Sequence, residues 1–271
     1  MICQVKIPYI KFIKSSIKLW LIHKIFIYLH QIETTDDEFE PMKYVQLPDN
    51  RVRALSFYLA MEEYVARHVD ESVCFFMWQV KPSVIFGRNQ FVENEVNIDY
   101  CRQHNIEVFR RKSGGGCVYA DQDNLMLSLI TREENVGIAF NQYINMVILV
   151  LRKLGVEAVG SHHNDIMIGD RKVSGTACYK LDGHCIVHGT LLYDTNMEHM
   201  THAITPKQEK LLKNGVQSVR QRICLLKDYI PYNIEELRKF IQLQLCEGEL
   251  LLTDNDISGI EKLEQKYEII R

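Results

Sequence analysis

Between Arg110 and Asn124 the chain reads Arg-Arg-Lys-Ser-Gly-Gly-Gly-Cys-Val-Tyr-Ala-Asp-Gln-Asp-Asn. Three consecutive glycines follow a strand-like Ile106–Phe109 run and precede a second β-prone one. Glycine loses the most backbone freedom on folding, so ordering such a triplet is costly. Without side chains its backbone N–H groups stay bare, and an anion such as a phosphate can approach closely. Arg110 and Arg111, whose guanidinium groups suit bidentate phosphate contacts, stand just before the loop. Neighbouring strand residues face opposite ways, so one of the two is expected to point at the ligand. The alternative is an ordinary hairpin turn with surface arginines. The stretch has neither the Walker spacing nor the dinucleotide fingerprint.

A second constellation runs Asn-Asp-Ile-Met-Ile-Gly-Asp-Arg-Lys-Val-Ser-Gly-Thr-Ala from Asn164 to Ala177, followed by His188-Gly-Thr-Leu-Leu. Lys172 comes just after a tight turn, on a strand that alternates into Ser174 and Thr176. Asn164, Asp165 and His188 fall on strands able to pair with it. A lysine beside a hairpin turn is otherwise a solvated charge, and a single Asp on a strand is otherwise structural.

Positioning these groups requires a definite set of elements. Periodicity predicts a first strand just after Met42, an amphipathic helix over Arg53–Val69, and strands at Val73–Val80 and Val84–Phe86. Gly87–Gln90 reads as a loop and Asn97–His104 as a short helix. Ile106–Arg111 leads into the glycine loop, and Leu125–Thr131 is the strand leaving it. Ile138–Leu154 is the clearest helix, closed by Gly155. A hairpin series follows: Asp165–Ile168, Arg171–Tyr179 and Cys185–Tyr193, turning at Gly169-Asp170 and Asp182-Gly183. Beyond it the chain reads as mainly helical, with one strand near Glu249–Leu252. Asn233 with Glu236 is a capping-box start for a helix to Leu245. Strands joined by hairpins, with helices between and after, predict an α+β fold with a mixed, largely antiparallel sheet flanked by helices.

The length of 271 residues suits one large domain, alone or with a small appendage. A net charge of −3 gives no nucleic-acid footprint. Eight cysteines with no Cys-x-x-Cys pair read as reduced thiols, hence a cytoplasmic protein. Near the N-terminus, Leu19-Trp-Leu-Ile and Ile25-Phe-Ile-Tyr-Leu are interrupted by Lys18, His23 and Lys24. No apolar run there reaches the roughly 18 residues of a spanning helix, and neither a signal-peptide core nor a cleavage site is present. A membrane-surface amphipathic helix is the alternative reading of these residues. The expected division is 1–41, a poorly packed extension or start-site artefact, and 42–271, a single domain.

The motifs resemble the lipoate–protein ligases of the biotin and lipoate ligase superfamily over about Tyr44 to Lys227. They are Ala60-Met-Glu-Glu, Val84-Ile-Phe-Gly-Arg-Asn-Gln, Glu95-Val-Asn, Arg110-Arg-Lys-Ser-Gly-Gly-Gly, Asn164-Asp-Ile, Arg171-Lys-Val-Ser-Gly-Thr-Ala, His188-Gly-Thr-Leu-Leu and Gly215-Val-Gln-Ser-Val-Arg-Gln-Arg. The resemblance implies a biotin/lipoate ligase catalytic-domain fold and a two-step reaction. Lipoate and ATP give lipoyl-adenylate, and a lysine of a carrier domain then takes the acyl group. It places ATP on Arg111, Gly116, Cys117, Val118, Tyr119 and Lys172. It places lipoate on Lys172, Arg110, Ser113, Gly114, Gly115 and His188. Lys172 is the implied catalytic residue, a cation drawing carboxylate and α-phosphate together and then stabilising the carbonyl oxygen. Asp165, with Asn164, would hold Mg2+ or orient the lysine. The implied partners are lipoyl domains of 2-oxoacid dehydrogenase E2 subunits or the glycine cleavage H protein, with no nucleic acid and no membrane.

Two departures stand out. The family's Tyr-His-Asp-Leu-Gly-Asn is here Tyr119-Ala120-Asp121-Gln122-Asp123-Asn124, without the histidine. The family's small C-terminal accessory domain has no counterpart before Arg271, so site closure is expected from Thr176–Asp182, from Asn196–Gly215, or from a separate accessory-domain protein. Three other readings remain. Cys185 near the Lys172 strand would suit an octanoyl or lipoyl transferase working through a thioester. A non-catalytic lipoyl- or nucleotide-binding protein belongs to another class. A zinc site from His162, His163, Cys178, His184 and Cys185 follows no standard spacing. The basic run Lys207–Arg222 would face phosphates or an acidic carrier, or is simply a solvated face.

Overall fold

The computed structural model describes residues 42–204, 222–267 and 269–270. They belong to one of the two compact units into which the chain divides, spanning Pro41–Arg271. The 1–41 segment, the marker starting at Gly215 and all of the basic run except Arg222 lie outside the described residues.

Apolar and β-branched runs place most chemistry-bearing residues on strands. β1 (Met42–Gln46), β2 (Val73–Trp78), β6 (Asn124–Thr131), β7 (Ala158–Gly160), β8 (Asp165–Ile168), β9 (Arg171–Leu181), β10 (His184–Leu192) and β11 (Cys246–Leu251) form one sheet. Its order is β11-β1-β2-β6-β10-β9-β8-β7. β2 and β11 run parallel to β1, and the other pairings are antiparallel. β3 (Ser83–Phe86), β4 (Glu107–Arg110), β5 (Cys117–Ala120) and β12 (Ile269–Ile270) form a second sheet, ordered β12-β4-β3-β5. The mixed, largely antiparallel α+β architecture expected of the chain is the one it has. β3–β5 antiparallel pairing, Phe86 opposite Cys117, anchors the far end of the glycine loop.

Helix α1 (Leu55–His68) is buried from Leu55 to Ala66, as a helix covered on two sides must be. One side packs on β6 and β10. The other meets α7 (Asp254–Glu264), where Tyr64 Oη donates to Asp256 (2.8 Å) and Ser56 Oγ to Glu264 (2.6 Å). This double cover buries Glu62 (0% exposed) and Glu63 (2%). Helix α4 (Val136–Lys153) begins at Asn135, whose side chain caps Gly137 N–H (2.9 Å), and ends before Gly155 at φ +82°. It packs on the opposite face of the large sheet. His188 of β10 meets Glu62 of α1, whereas a Cβ on the next residue, Gly189, would lie 2.6 Å from Tyr143 Oη of α4.

The short helices α2 (Val92–Glu95), α3 (Ile98–Gln103) and α5 (Met197–Ala203) enclose a second core with the small sheet, around Phe86, Val108, Tyr119 and Met200. The Asn233–Glu236 capping box starts α6 (Ile234–Leu245), which runs into β11 without a loop. One expectation fails: Thr176–Asp182 is no closing loop. β9 stays paired with β10 to Leu181↔His184, because Asp182 (φ +48°) and Gly183 (φ +81°) make a two-residue hairpin turn. The other proposed closing segment, Asn196–Gly215, begins as α5 and then leaves the described residues.

Candidate active site

The glycine loop is built around one buried guanidinium. Arg111 is 5% exposed and donates from Nε to Ser113 Oγ (2.9 Å), from Nη1 to Ile85 O (3.0 Å), and from Nη2 to Gly114 O (2.7 Å) and Gly116 O (2.8 Å). Trans peptide geometry then turns the N–H groups of Gly115 and Cys117 away from the guanidinium. Gly115 sits at φ +90°, where a Cβ would lie 2.9 Å from Arg111 Nη2. Burial pulls the Arg111 pKa down to about 10, so it keeps its charge at neutral pH. Arg110 points elsewhere. It lies exposed over the Phe86 ring (4.4 Å) and donates to the carbonyls of Arg88 (3.0 Å) and Gln90 (2.8 Å).

Across from this loop, Lys172 and Asp165 meet on neighbouring strands. The β8–β9 register shifts between Ile166 and Met167, leaving Val173 without an opposite residue. Lys172 Nζ lies 2.9 Å from Asp165 Oδ1, the two side chains 35% and 24% exposed. The lysine tail passes directly over Gly175, where a Cβ would come within 2.8 Å of Nζ. Behind it, Cys224 N–H donates to Lys172 O (2.9 Å), tying the strand to the segment after residue 221.

Between the two lies a pocket of about 210 Å3. Its polar walls include Arg111, Gly115–Cys117, Asp165, Lys172 and His188, and its apolar lining includes Leu59, Trp78, Ile85, Val118 and Met126. Such a mix accepts a ligand with an aliphatic tail and a charged head. Of the residues singled out in the sequence, Arg111, Gly115, Gly116, Cys117, Val118, Asp165, Lys172 and His188 line it. Arg110, Ser113, Gly114, Tyr119 and Asn164 do not. Ser113 and Gly114 act through Arg111, Tyr119 is buried in the second core, and Asn164 makes the turn before β8 at φ +61°.

A buried polar relay supports the pocket. Trp78 Nε1 donates to Ser128 Oγ (2.8 Å), and Ser128 Oγ donates to Glu62 Oε1 (2.6 Å). Glu62 Oε2 lies 2.9 Å from His188 Nδ1, and His188 Nε2 lies 2.7 Å from Ser113 Oγ. Ser113 Oγ already takes Arg111 Nε–H, so its own hydrogen is free to go to His188 Nε2, which puts the ring N–H on Nδ1 facing Glu62. Sequence reading missed Glu62, Ser128 and Trp78 as site residues. The one available signal was a glutamate pair inside an apolar helix, which demands a partner.

Cys185 is not part of this site. It is fully buried opposite Lys180 and Thr131, eight residues along β9 from Lys172, or roughly 26 Å at strand rise. Burial also raises its thiol pKa. A Lys172/Cys185 transferase pair is therefore ruled out by distance.

Residues 55–246 match the family described as Lipoyl protein ligase A/B catalytic domain. Lipoate--protein ligase 1 of Staphylococcus aureus is 36% identical over 231 residues, 82% of this chain and 70% of that protein. Lipoate-protein ligase LplJ of Bacillus subtilis is 37% identical over 222 residues, 78% of this chain and 67% of that protein. Among solved structures, a bi-partite lipoate protein ligase from Thermoplasma acidophilum, studied with its E2 lipoyl domain, superimposes with a TM-score of 0.72 at 25% identity. That match covers 84% of this chain and 93% of that one. The chain belongs to the lipoyl protein ligase A/B catalytic-domain family.

Proposed function

We infer that this chain is an ATP-dependent lipoate–protein ligase acting through lipoyl-adenylate, with Lys172 as its catalytic cation. The lipoate carboxylate attacks the α-phosphorus of ATP; a C–O–P linkage forms and pyrophosphate leaves. The amine of a carrier lysine then attacks the acyl carbonyl, an amide forms, and AMP departs with the bond electrons. The observation that carries this reading is the Lys172–Asp165 pair set in the pocket wall, 2.9 Å apart, facing the Arg111-held glycine loop. In the first step Lys172 brings two anions together; in the second it offsets charge on the carbonyl oxygen. Asp165 orients the ammonium, and the apolar floor takes the acyl chain.

Mg2+ fits the site as a companion of ATP. It would be held chiefly by the phosphates; among the described lining residues Asp165 is the carboxylate, with Oδ1 on Lys172 and Oδ2 left to reach the metal or its water. The protein partner is a lipoyl domain of an E2 subunit, by likeness to the bi-partite ligase studied with its E2 lipoyl domain, or an H protein, as the family resemblance implies. A separate accessory-domain protein is a further proposed partner, by likeness to the bi-partite ligase. The cysteine usage supports a cytoplasmic location. Among the described residues no helix is long and apolar enough to cross a membrane.

The test is lipoate-dependent ATP–pyrophosphate exchange with the parent and with Lys172→Ala. The variant should lose about 10²- to 10³-fold in rate. Exchange at the parental rate would remove Lys172 from the mechanism. A parent inert with lipoate and octanoate, yet binding either, would leave a non-catalytic binding protein.

A further inference from the structure

On the far side of the glycine loop from the acyl pocket lies a second cavity of about 440 Å3. Its walls include Arg88, Arg110, Arg111, Lys112, Lys180 and Lys266, with no aspartate or glutamate among its described lining residues. In a chain of net charge −3, this concentration of cations is a local departure. Three described acids near it are already engaged. Glu63 takes Lys112 and Tyr267 Oη, Asp182 takes Arg67 (2.7 Å), and Glu134 stands 3.9 Å from Lys180. Arg110, which the resemblance placed with lipoate, is instead braced through Nη1 on two carbonyls and lines this groove.

We propose that this groove docks an acidic surface of the acyl-accepting carrier protein. A small polyphosphate is the poorer fit. Four of the five N–H groups of Arg111 are spent inside the protein, and Arg88, Arg110, Lys112, Lys180 and Lys266 are exposed rather than gathered in a closed cradle. The floor adds Tyr179, Leu181 and Ile270, an apolar strip of the kind protein interfaces bury within a charged rim. Geometry allows one partner to reach both places. Gly175, Ala177, Tyr179 and Leu181 alternate onto one face of β9; the first two line the acyl pocket and the last two the groove. A standard interface of about 800 Å2 per partner is roughly 30 Å across. Lys172 and Lys180 are about 26 Å apart along the strand.

The partner's identity rests on the ligase reading; the docking surface is tested separately. Titrating an unmodified, net-negative E2 lipoyl domain onto the full chain reads docking without turnover. Lys180→Glu with Lys266→Glu should weaken binding about 10- to 100-fold and flatten its salt dependence, while Lys180→Arg with Lys266→Arg restores both. Lipoate-dependent exchange, which needs no carrier, should keep its rate and its KM for ATP. Unchanged carrier affinity in the charge-reversed protein overturns the proposal. So does a rise in the KM for ATP, which would mark a phosphate subsite. A parent that binds the carrier but shows no exchange would sink the ligase reading and leave the docking surface standing.

Discussion

A single missing methyl group sets the position of the lysine proposed as catalytic. The Cβ of Gly175→Ala would lie 2.8 Å from Lys172 Nζ and 2.9 Å from Cε, both at the mobile end of a flexible chain. The fold should tolerate the change, and Lys172 should leave Asp165. We expect a Tm within about 2 °C of the parent and acyl transfer lowered by about 10²-fold, the scale of a 1 Å misplacement. Parental turnover would mean that the lysine works from another position. The cysteines should be inert for the opposite reason. Burial pushes the Cys117 thiol up to about 12 and raises Cys185 as well, so little thiolate exists at pH 8. Cys185→Ser should keep most ligation activity, and intact-mass analysis with an octanoyl-carrier donor should find no thioester; an adduct of acyl mass there would reverse this assignment.

At the scale of elements, α1 joins the core to the site. Its Glu62 accepts from Ser128 and bonds His188, both buried, so Glu62→Ala strands two polar groups. Leaving such groups unpaired costs about 1–3 kcal/mol each, and a loss of about 2–4 kcal/mol should appear in the denaturant midpoint. A midpoint equal to the parent's would show that the relay contributes nothing to folding. The α6 cap offers a smaller comparison. Asn233 accepts from Glu235 N–H (3.0 Å) and Glu236 N–H (2.9 Å), and Asn233→Ala should cost about 1 kcal/mol without touching exchange.

For the molecule as a whole, the two half-reactions separate cleanly. Adenylate chemistry needs water excluded from a reactive intermediate, whereas transfer needs only the acyl group, Lys172 and the carrier amine in line. The chain alone should transfer the acyl group from added lipoyl-adenylate to a lipoyl domain, with lipoate plus ATP as the parallel assay. Activity with the adenylate only would place adenylation under a partner's control, and failure with both would end the ligase reading. A chain beginning at Met42 should also melt cooperatively and keep that activity. The family match starts at residue 55, and β1, from Met42, already pairs with β2 and β11. Loss of the cooperative melt would show that earlier residues belong to the core.

The chain's own chemistry determined most of the strands, though not the short edge strands β7 and β12, and with them the hairpin turns, the Asn233 capping box and the two motif segments. Glycine, the Gly-Asp and Asp-Gly turns and alternating apolar residues act on their immediate neighbours, and those effects are legible without a fold. The family followed from the same local order of residues. Tertiary structure decided the rest. It turned Arg111 inward and Arg110 out, joined Glu62 to His188 across 126 positions, and laid Lys172 over Gly175 beside Asp165. It also put Cys185 far along the strand, although both residues share one hairpin. These outcomes depend on register, on which face of a strand a helix covers, and on a one-residue shift between β8 and β9. Each is a relation between segments distant in sequence, and local propensity carries no information about it.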